Sequence, residues 1–430
     1  MFVLHQVHSV WRTSSFTAEK LTLCLCLRRC HTTQRGAANT QLIKKHKKER
    51  SSCQPVLDLF DQQYSQELGD LWASTRSALL DPQSWQYGVL LNRFTAVTDV
   101  TQILQSQGFS RFLPQTDVSS PLSNSKNQTG KDSSPQCVSA SPALSQDIRS
   151  NPSVTLPHPS LQCYIHAHPL RFPSQPHRHG QLKQYYLLNA ASLLPVLALQ
   201  VRDGDKVLDL CSAPGGKALA ILQCATPELL CCNEPDPHRR DWLAKTLESY
   251  VPHSLHSKVM VSAQDGQRFQ SEDVTYDKVL VDAPCSNDRS WLYSCSSQKG
   301  EQRLKERARL PVLQAQLLRC ALSLVRPGGL VVYSTCTLSS SENYAVVETV
   351  LNDFPEAEPE DLWDEIVAPL SEHFVFRPSH PGYGKTSHKH SLLPQEGALS
   401  SYPHRLGILV VPQPGKTWGP MFLSRIRRRT

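Results

Sequence analysis

The chain has 430 residues, of which 39% are hydrophobic and 19% are charged, and its formal net charge is +7. This length allows two to three domains, and the apolar content excludes a chain that is disordered throughout. No run of about 18 apolar residues is present, which argues against membrane insertion, and the 14 cysteines are too dilute for a small disulfide scaffold, which indicates reduced thiols in an intracellular compartment.

Residues 1–50 are predicted to be a mitochondrial presequence. The first 48 residues hold nine Lys and Arg and a single acid, Glu19, whereas the rest of the chain is nearly neutral. A basic, acid-poor composition with Ser, Thr and interspersed apolar residues is typical of such presequences, and the compact apolar stretch of a secretory signal is missing. A disordered basic tail that contacts nucleic acid is the alternative. The favoured interpretation places the protein in the mitochondrial matrix.

Residues 51–115 are predicted to form a helical N-terminal region. Apolar residues recur there at intervals of three or four, which is the pattern of an amphipathic helix that packs against a core. They are Leu57, Phe60, Tyr64, Leu68 and Leu71. A groove for a partner is the less favoured interpretation of this face.

Residues 116–160 are predicted to be a disordered linker. They hold twelve Ser and six Pro among 45 positions and no Phe, Trp or Tyr. Such a segment cannot bury enough apolar surface to offset the entropy that its chain would lose on folding.

Residues 161–430 are predicted to form one α/β domain. Residues 183–199 are mostly apolar and predict a helix with a kink at Pro195. Strands and helices then alternate, which indicates a doubly wound sheet, and the continuous apolar strands indicate that both faces are covered. The predicted strands are 206–211, 228–235, 258–263, 278–284 and 329–336, and the predicted helices follow the Gly-Gly turn and Pro237 and span 307–325 and 343–351. Two late apolar segments, 407–412 and 421–428, predict an antiparallel pair at one edge.

Ligands of such a sheet bind outside the carboxyl ends of its strands, where the first motif is LDLCSAPGGK, residues 208–217. Gly215 and Gly216 permit a tight turn and the close approach of a ligand to the backbone. The spacing matches neither the phosphate-binding Gly-x-x-x-x-Gly-Lys-Ser/Thr loop nor the dinucleotide-binding Gly-x-Gly-x-x-Gly motif. By itself the turn does not identify the ligand.

Two acids follow the next two strands. Glu234 ends the second strand, where a carboxylate suits the two hydroxyls of a ribose; an acid that complements a helix dipole is the alternative. Asp265 ends the third strand, where it can accept a hydrogen bond from the exocyclic amine of adenine; a turn residue is the alternative.

Two cysteines follow two later strands. Asp282, Pro284 and Cys285 come directly after one strand, and Cys336 comes directly after another. A single Cys near a strand end usually packs as a small buried hydrophobe, but core packing does not require two of them and an aspartate. Zinc is disfavoured because no Cys-x-x-Cys pair or supporting His spacing is present, so no metal is expected.

The motifs CSAPGGK, NE, DG, DAPCS and STCT, in this order, resemble the NSUN family of RNA cytosine-5 methyltransferases over about residues 165–430. The resemblance implies a Rossmann-like methyltransferase sheet, S-adenosylmethionine as the cofactor and 5-methylcytosine in RNA as the product. The strings NDRSWL and YYLLNAASLLPVLAL are most similar to a mitochondrial branch that modifies tRNA. They imply mitochondrial methionine tRNA as the substrate, at the wobble cytosine of its anticodon.

The resemblance also implies a covalent mechanism. Carbon 5 of cytosine is not nucleophilic enough to accept a methyl group from a sulfonium, and a thiolate that adds to carbon 6 makes carbon 5 enamine-like. Cys336 is then the nucleophile, Cys285 assists elimination and enzyme release, and Asp282 bonds the ring nitrogen or the exocyclic amine. The residues expected to bind the cofactor are Cys211, Ser212, Ala213, Pro214, Gly215, Gly216, Lys217, Glu234, Arg239, Asp265, Gly266 and Asp282. Ser212 stands where most members of the family have Ala, and Glu234 stands where several have Asp. Both departures from the family pattern are small.

RNA contacts are predicted less sharply. Two basic segments, 299–309 and 425–429, are candidates for phosphate binding, with a solvated surface as the alternative for the first. Trp291 is a candidate for stacking on a base, with core packing as the alternative. A target cytosine must be unstacked or already single-stranded, which favours a loop nucleotide.

Three other functions stay open on the residues alone. They are a mitochondrial rRNA methyltransferase, a non-catalytic RNA-binding assembly factor, and a nicotinamide-dependent oxidoreductase that would lack its glycine fingerprint. The sequence identifies no protein partner.

Overall fold

The computed structural model describes residues 53–113, 161–271, 274–293, 297–379 and 405–430. The predicted presequence, residues 1–50, and the predicted linker, residues 116–160, lie outside the described residues. A four-stranded and a nine-stranded sheet organise the part of the chain that is described.

The N-terminal region begins with two helices, α1 (Gln54–Leu68) and α2 (Leu71–Leu80). Four of the five apolar residues that predicted a helical face are buried, and the fifth, Leu71, is half-buried. Gly69 ends α1 with a φ of 58°, a conformation that favours glycine. The predicted helical region is therefore confirmed, with a break between the two helices.

Four short strands and a third helix, which the sequence did not predict, also belong to this region. They are β1 (Gly88–Leu91), α3 (Thr98–Ser106), β2 (Ser110–Arg111), β3 (Cys163–Ile165) and β4 (Tyr185–Leu188). The antiparallel order is β2-β3-β1-β4. Segments on both sides of residues 114–160 therefore build one sheet.

The helix predicted over residues 183–199 is wrong in its first half. Tyr185–Leu188 pairs with β1, so this apolar run hydrogen-bonds as a strand. Helix α4 (Leu194–Leu199) begins later and has Pro195 in its first turn, where the missing N–H costs nothing. Proline therefore starts this helix and does not kink it.

The nine-stranded sheet contains the predicted parallel strands. They are β5 (Lys206–Asp209), β6 (Leu229–Asn233), β7 (Val259–Ser262), β8 (Tyr276–Asp282) and β9 (Val325–Thr335). Their order is β9-β8-β5-β6-β7, so the direction of winding reverses between β5 and β8. The predicted doubly wound sheet is confirmed, and its switch point is the crevice where ligands of such sheets bind.

Within the described ranges, seven α-helices accompany the sheet beyond α4. They are α5 (Gly216–Cys224), α6 (Pro237–Tyr250), α7 (Asp288–Trp291), α8 (Ser297–Arg307), α9 (Leu310–Leu324), α10 (Tyr344–Asp353) and α11 (Ala368–Leu370). The helix predicted over 307–325 is confirmed as α9, which begins three residues later, whereas α8 is an additional helix that the sequence did not predict.

Four antiparallel strands extend the sheet beyond β9. They are β10 (Ala357–Glu360), β11 (Phe376–Pro378), β12 (Ile408–Val410) and β13 (Met421–Arg428). The antiparallel pair predicted from 407–412 and 421–428 is confirmed. Strand β13 lies between β12 and β9, with Phe422 opposite Thr335. Strands β10 and β11 are too short and polar to have been predicted.

Alternate residues of the central strands face two apolar cores, as the period of a strand requires. Val207 and Leu280 pack on the side covered by α4, α5 and α6, whereas Leu208 and Val279 pack on the side covered by α1, α9 and α10. Helix α1 therefore shares a core with the helices of the nine-stranded sheet. No helix within the described ranges is both long and apolar enough to cross a membrane.

Candidate active site

A cavity of about 160 Å³ opens beside the carboxyl ends of β5 and β8. The predicted cofactor-binding residues in its wall are Cys211, Ser212, Ala213, Pro214, Gly216, Lys217 and Asp282. The sequence analysis missed the other lining residues, which are Tyr186, Leu187, Leu188, Ser192 and Asp209. Asp209 belongs to the LDLC motif and is predictable from the sequence as a site residue, whereas the residues of β4 come close to this motif only in the folded protein.

The turn after β5 requires its two glycines. Gly215 has a φ of 103°, and a Cβ on it would lie 3.1 Å from Leu243 Cδ1. A Cβ on Gly216 would lie 3.1 Å from Tyr186 Cε1. The glycines therefore let this turn pack closely against α6 and β4.

Asp209 is a fully buried carboxyl in the cavity wall. Ser212 Oγ donates to its Oδ2 at 2.8 Å, and no donor among the described residues reaches its Oδ1. Burial raises the pKa of Asp209 to about 7, although the bond from Ser212 opposes the shift. Near neutral pH this group can therefore donate or accept a proton toward a ligand.

Lys217 and Asp282 form a charged pair at the edge of the cavity. Lys217 Nζ donates to Asp282 Oδ2 at 2.7 Å, and Ser334 Oγ donates to Oδ1 at 2.9 Å. Burial alone would lower the pKa of Lys217, but the Asp282 carboxylate more than offsets burial and the pKa is raised. The carboxylate is therefore held by two donors in one orientation.

The two predicted cysteines meet next to this pair. Cys285 Sγ and Cys336 Sγ are 3.2 Å apart, and the Cys336 amide donates to Cys285 Sγ at 3.3 Å. The hydrogen bond to Cys336 and burial raise the pKa of the Cys285 thiol well above its usual value, with the charge of Glu342 adding to the shift. Cys285 therefore stays protonated and can donate its S–H to the Cys336 sulfur.

Glu234 is buried at the end of β6. Its Oε1 accepts the Asp236 amide at 3.1 Å, and its Oε2 lies 3.2 Å from Arg239 Nη1. That ion pair lacks hydrogen-bond geometry, since Oε2 has no partner of that kind among the described residues. Arg239 Nη2 also donates to the Ala213 carbonyl at 2.9 Å, which ties Glu234 to the turn after β5.

Asp265 and Gly266 follow β7 and do not line the cavity. The Asp265 carboxylate accepts the Gln267 amide at 3.0 Å and caps a short 3₁₀ turn. A Cβ on Gly266 would lie 2.8 Å from Leu317 Cδ2. The side-chain contacts of this pair are therefore those of a turn packed against α9.

A buried polar network lies behind the two cysteines, and the sequence analysis missed it. Glu342 is its centre: its carboxylate accepts the Ser286 amide at 2.9 Å and Ser286 Oγ at 2.7 Å. Arg307 Nε lies 3.3 Å from the same carboxylate, and Gln314 Nε2 bridges Glu342 and the Pro284 carbonyl. The network fixes the backbone on both sides of Cys285.

Asp288 fixes the loop that follows Cys336 in the same way. Its carboxylate accepts the Leu338 amide at 2.7 Å and Thr337 Oγ1 at 2.9 Å. Tyr64 Oη of α1 donates to Asp288 at 3.0 Å and accepts from Arg307 Nη2 at 2.9 Å. The N-terminal region thus contributes a side chain to the support of the cysteines.

The structure assigns other contacts to much of the predicted RNA-binding surface. In segment 299–309, Arg307 is buried. The candidate stacking residue Trp291 is only 8% exposed, and the guanidinium of Arg303 lies over its ring. In segment 425–429, Arg425 pairs with Glu360 and Glu365, and the other ion pairs are Arg427–Glu360 and Arg429–Glu358. The C-terminal arginines therefore mainly neutralise acids, because β13 lies beside β10.

Comparison with known proteins decides the family. Residues 196–373 match the family described as 16S rRNA methyltransferase RsmB/F. A Danio rerio protein named tRNA (cytosine(34)-C(5))-methyltransferase, mitochondrial, is 48% identical over 96% of this chain and 99% of its own length. The chain belongs to the family of S-adenosylmethionine-dependent RNA cytosine-5 methyltransferases. The family predicted from the motifs is confirmed, and the oxidoreductase alternative is wrong.

One further relative agrees in sequence, and two solved structures agree in fold. The Xenopus tropicalis 5-cytosine rRNA methyltransferase NSUN4 is 36% identical over 87% of this chain and 90% of its own length. Two Pyrococcus horikoshii structures cover 87% of this chain and 98% of their own: a methyltransferase homologue (19% identity, TM-score 0.51) and NSun6 with SFG (14% identity, TM-score 0.52). The latter two share the fold of this methyltransferase.

No cluster of three or more potential metal ligands occurs within the described ranges.

Proposed function

We propose that this methyltransferase forms 5-methylcytosine at the wobble position of mitochondrial methionine tRNA, in the mitochondrial matrix. The Danio rerio and Mus musculus relatives, 48% and 42% identical, are both named as mitochondrial tRNA cytosine-34 methyltransferases, and residues 1–48 have the composition of a presequence. The observation that carries the chemistry is the 3.2 Å approach of Cys285 Sγ and Cys336 Sγ next to the Lys217–Asp282 pair.

S-adenosylmethionine, which supplies the methyl group, is assigned to the cavity and its surroundings. Asp209 Oδ1 and Glu234 Oε2 are buried acceptors without a hydrogen-bond partner among the described residues, and such atoms favour a ligand that carries hydroxyl or amino donors. Glu234 would accept the ribose hydroxyls, with Arg239 behind it. The turn 211–217 would hold the methionine part, and Asp265 with Gly266 would border the adenine.

Cys336 is assigned as the nucleophile. Its thiolate adds to carbon 6 of cytosine, so a carbon–sulfur bond forms and the electrons of the 5,6 double bond become available at carbon 5. Carbon 5 would take the methyl group as the sulfonium of S-adenosylmethionine leaves as a thioether, and it would then release its proton to water. The 5,6 double bond reforms, and the carbon–sulfur bond breaks with its electrons returning to Cys336. The cytosine leaves with one new carbon–carbon bond.

Cys285 is assigned to stabilise the Cys336 thiolate, and Asp282 is assigned to bind the cytosine ring. A protonated Cys285 stabilises the thiolate before attack and after elimination, because it can donate its S–H across 3.2 Å. The Asp282 carboxylate, oriented by Lys217 and Ser334, bonds the ring nitrogen or exocyclic amine, where charge changes as the thiolate adds.

The test is methyl transfer from labelled S-adenosylmethionine to three transcripts: mitochondrial methionine tRNA, the same tRNA with its wobble cytosine replaced by uracil, and a mitochondrial rRNA fragment. Label in the intact tRNA alone supports the proposal. Label in the rRNA fragment alone overturns the proposed tRNA substrate and favours the rRNA alternative. The 36% identical relative named NSUN4, an rRNA methyltransferase, supports that alternative. Label in no transcript overturns the tRNA proposal for the isolated enzyme.

A further inference from the structure

An arginine beside the cysteines has no role in the proposed chemistry. Arg289 lies in α7, four residues after Cys285, and Asn287 between them adopts a left-handed φ of 42°, which Asn tolerates better than most residues. Asp288 binds the loop after Cys336. This anchors α7 against both cysteines, and Arg289 interacts electrostatically with Cys336.

Arg289 carries a charge that the fold does not neutralise. Its Nη2 donates to the Thr417 carbonyl, but its Nε is buried without a partner among the described residues, and none of the ion pairs found in those ranges includes it. Burial lowers the pKa of Arg289 to about 10, so the group stays cationic at neutral pH. A partly buried, uncompensated cation costs folding free energy, which a role in binding an anion would explain.

Two aromatic side chains extend the same surface. The Arg289 guanidinium lies 4.6 Å from the ring centroid of Trp85, and the exposed Arg171 lies 4.9 Å from that of Tyr87. Trp85, Tyr87 and Arg289 are each half-buried, so each keeps some surface exposed to solvent. Interleaved arginines and aromatic rings of this kind bind single-stranded nucleic acid, with phosphates on the cations and bases on the rings.

The surface is held rigidly. Gln86, between the two aromatic residues, is buried. Its backbone N–H donates to Thr417 Oγ1 at 3.0 Å, and its side-chain Oε1 accepts the backbone N–H of Thr417 at 2.9 Å. Its Nε2 donates to the carbonyls of His166 and Ala167. Since Arg289 also binds Thr417, the arginine and the aromatic segment share one anchor and are preorganised.

We propose that Arg289 binds a backbone phosphate of the RNA at or next to the target cytosine, and that Trp85 and Tyr87 receive the flanking nucleotides. The inference uses the proposed position of Cys336 in the reaction to locate the target base, and otherwise requires only an RNA substrate, which the family provides. Arg425 and Arg427 of β13 pair with acids, whereas Arg289, next to the cysteines, has no acid partner among the described residues and its charge is left for the RNA.

The experiment measures binding of a labelled RNA hairpin with a loop cytosine, by anisotropy over a series of salt concentrations. R289Q should weaken binding about tenfold and reduce the slope of log affinity against log salt by about 0.7 to 0.9, as expected for one lost phosphate contact. R289K should restore most of the slope. Y87L should weaken binding about tenfold or more through lost stacking, with the slope unchanged.

Three controls separate this role from a structural one. S-adenosylmethionine affinity should be unchanged in R289Q, and R319Q, at an exposed arginine paired with Asp353, should bind RNA like the wild type. Wild-type affinity and slope in R289Q would overturn the proposal, as would a loss of turnover without a loss of RNA binding. Because binding is read without methylation, an enzyme that binds the hairpin but labels no tRNA would refute the proposed substrate and leave this test intact.

Discussion

The turn that borders the cofactor cavity consists of seven consecutive residues, 211–217, whereas the loops that carry the two cysteines are held by side chains from distant parts of the chain. Ser212 shapes the turn through its hydrogen bond to Asp209 within the motif itself, and Gly215 lets the turn pack against α6. The cysteine loops depend on Tyr64, Arg307 and Glu342, which lie on three other elements. The turn beside the cofactor cavity is thus supplied by one continuous motif, whereas the cysteine loops are positioned by side chains that only the tertiary structure brings together.

This difference explains why the N-terminal helices belong to the enzyme. Helix α1 buries its apolar face on the side of the sheet that carries α9 and α10, and it delivers the Tyr64 hydroxyl to the charges behind the cysteines. A change in α1 should therefore affect the cysteine loops and spare the cofactor turn.

The largest expected effect is at the cysteines themselves. C336A should reduce methyl transfer on the order of 10⁴-fold or more, because removal of a nucleophile abolishes the covalent route, and it should leave S-adenosylmethionine affinity unchanged. C285A should instead accumulate an RNA–protein adduct that survives denaturant, measured by gel shift. An adduct in C336A, or full activity of that variant, would refute the assignment of the nucleophile.

The next largest effect is expected at Glu342. E342Q should cost about 3 kcal/mol in the free energy of unfolding, because it removes one of the two carboxylates that interact with the buried Arg307, and it should lower kcat more than cofactor affinity. The exposed Arg319–Asp353 pair provides the control: D353N should cost about 1 kcal/mol or less. Denaturant unfolding that shows equal losses for the two variants would contradict a special role for the network.

On the cofactor side, the pH dependence of stability should report Asp209. Its pKa is about 7 in the folded protein and about 3.9 in an unfolded chain, so the folded state binds more protons between these values. Stability contributed by this group is therefore lost as pH rises through that range, by up to about 1.4 kcal/mol per pH unit. D209N should remove this loss and gain stability relative to the wild type from pH 4 to pH 7.

A control of opposite sign is available at Asp236. The amide of Arg239, the first cause of the shift, lowers the pKa of this exposed helix cap. D236N should therefore lose stability relative to the wild type as pH rises toward about 4, below the window of Asp209, and the difference should stay constant at higher pH. Thermal unfolding curves of D209N that run parallel to the wild type at every pH would refute the buried, raised-pKa state of Asp209.

The smallest effect is expected at Tyr64. Y64F removes one hydroxyl that links Asp288 and Arg307, which should cost about 1 to 2 kcal/mol and lower kcat a few-fold. Y185F loses a single bond to the Pro173 carbonyl away from the cysteines and should leave kcat unchanged. If both variants have the kcat of the wild type, α1 supports stability but not the chemistry.

Much of the candidate site could be predicted from the sequence. Asp282, Cys285 and Cys336 were expected together because parallel strands end at one edge of a sheet, and the structure brings both sulfurs to 3.2 Å. The strand at Tyr185–Leu188 was missed because an apolar run of this kind fits a buried helix as well as a strand. Its pairing with β1 decides between them.

The sequence by itself determined the order of the parallel strands' motifs, the glycine turn and the acids and cysteines at the strand ends, since these features follow from backbone conformation and from alternation along the chain. Only the tertiary structure decided which buried charge meets which partner. The local sequence does not reveal the roles of Glu342, in SSSEN, and Tyr64, in an apolar stripe. The hydrogen bonds of Tyr64, for example, join residues more than 200 positions apart in the chain. The same reason applies to Arg425 and Arg427 of β13, which the sequence suggests as phosphate-binding residues and which form ion pairs with Glu360 of β10.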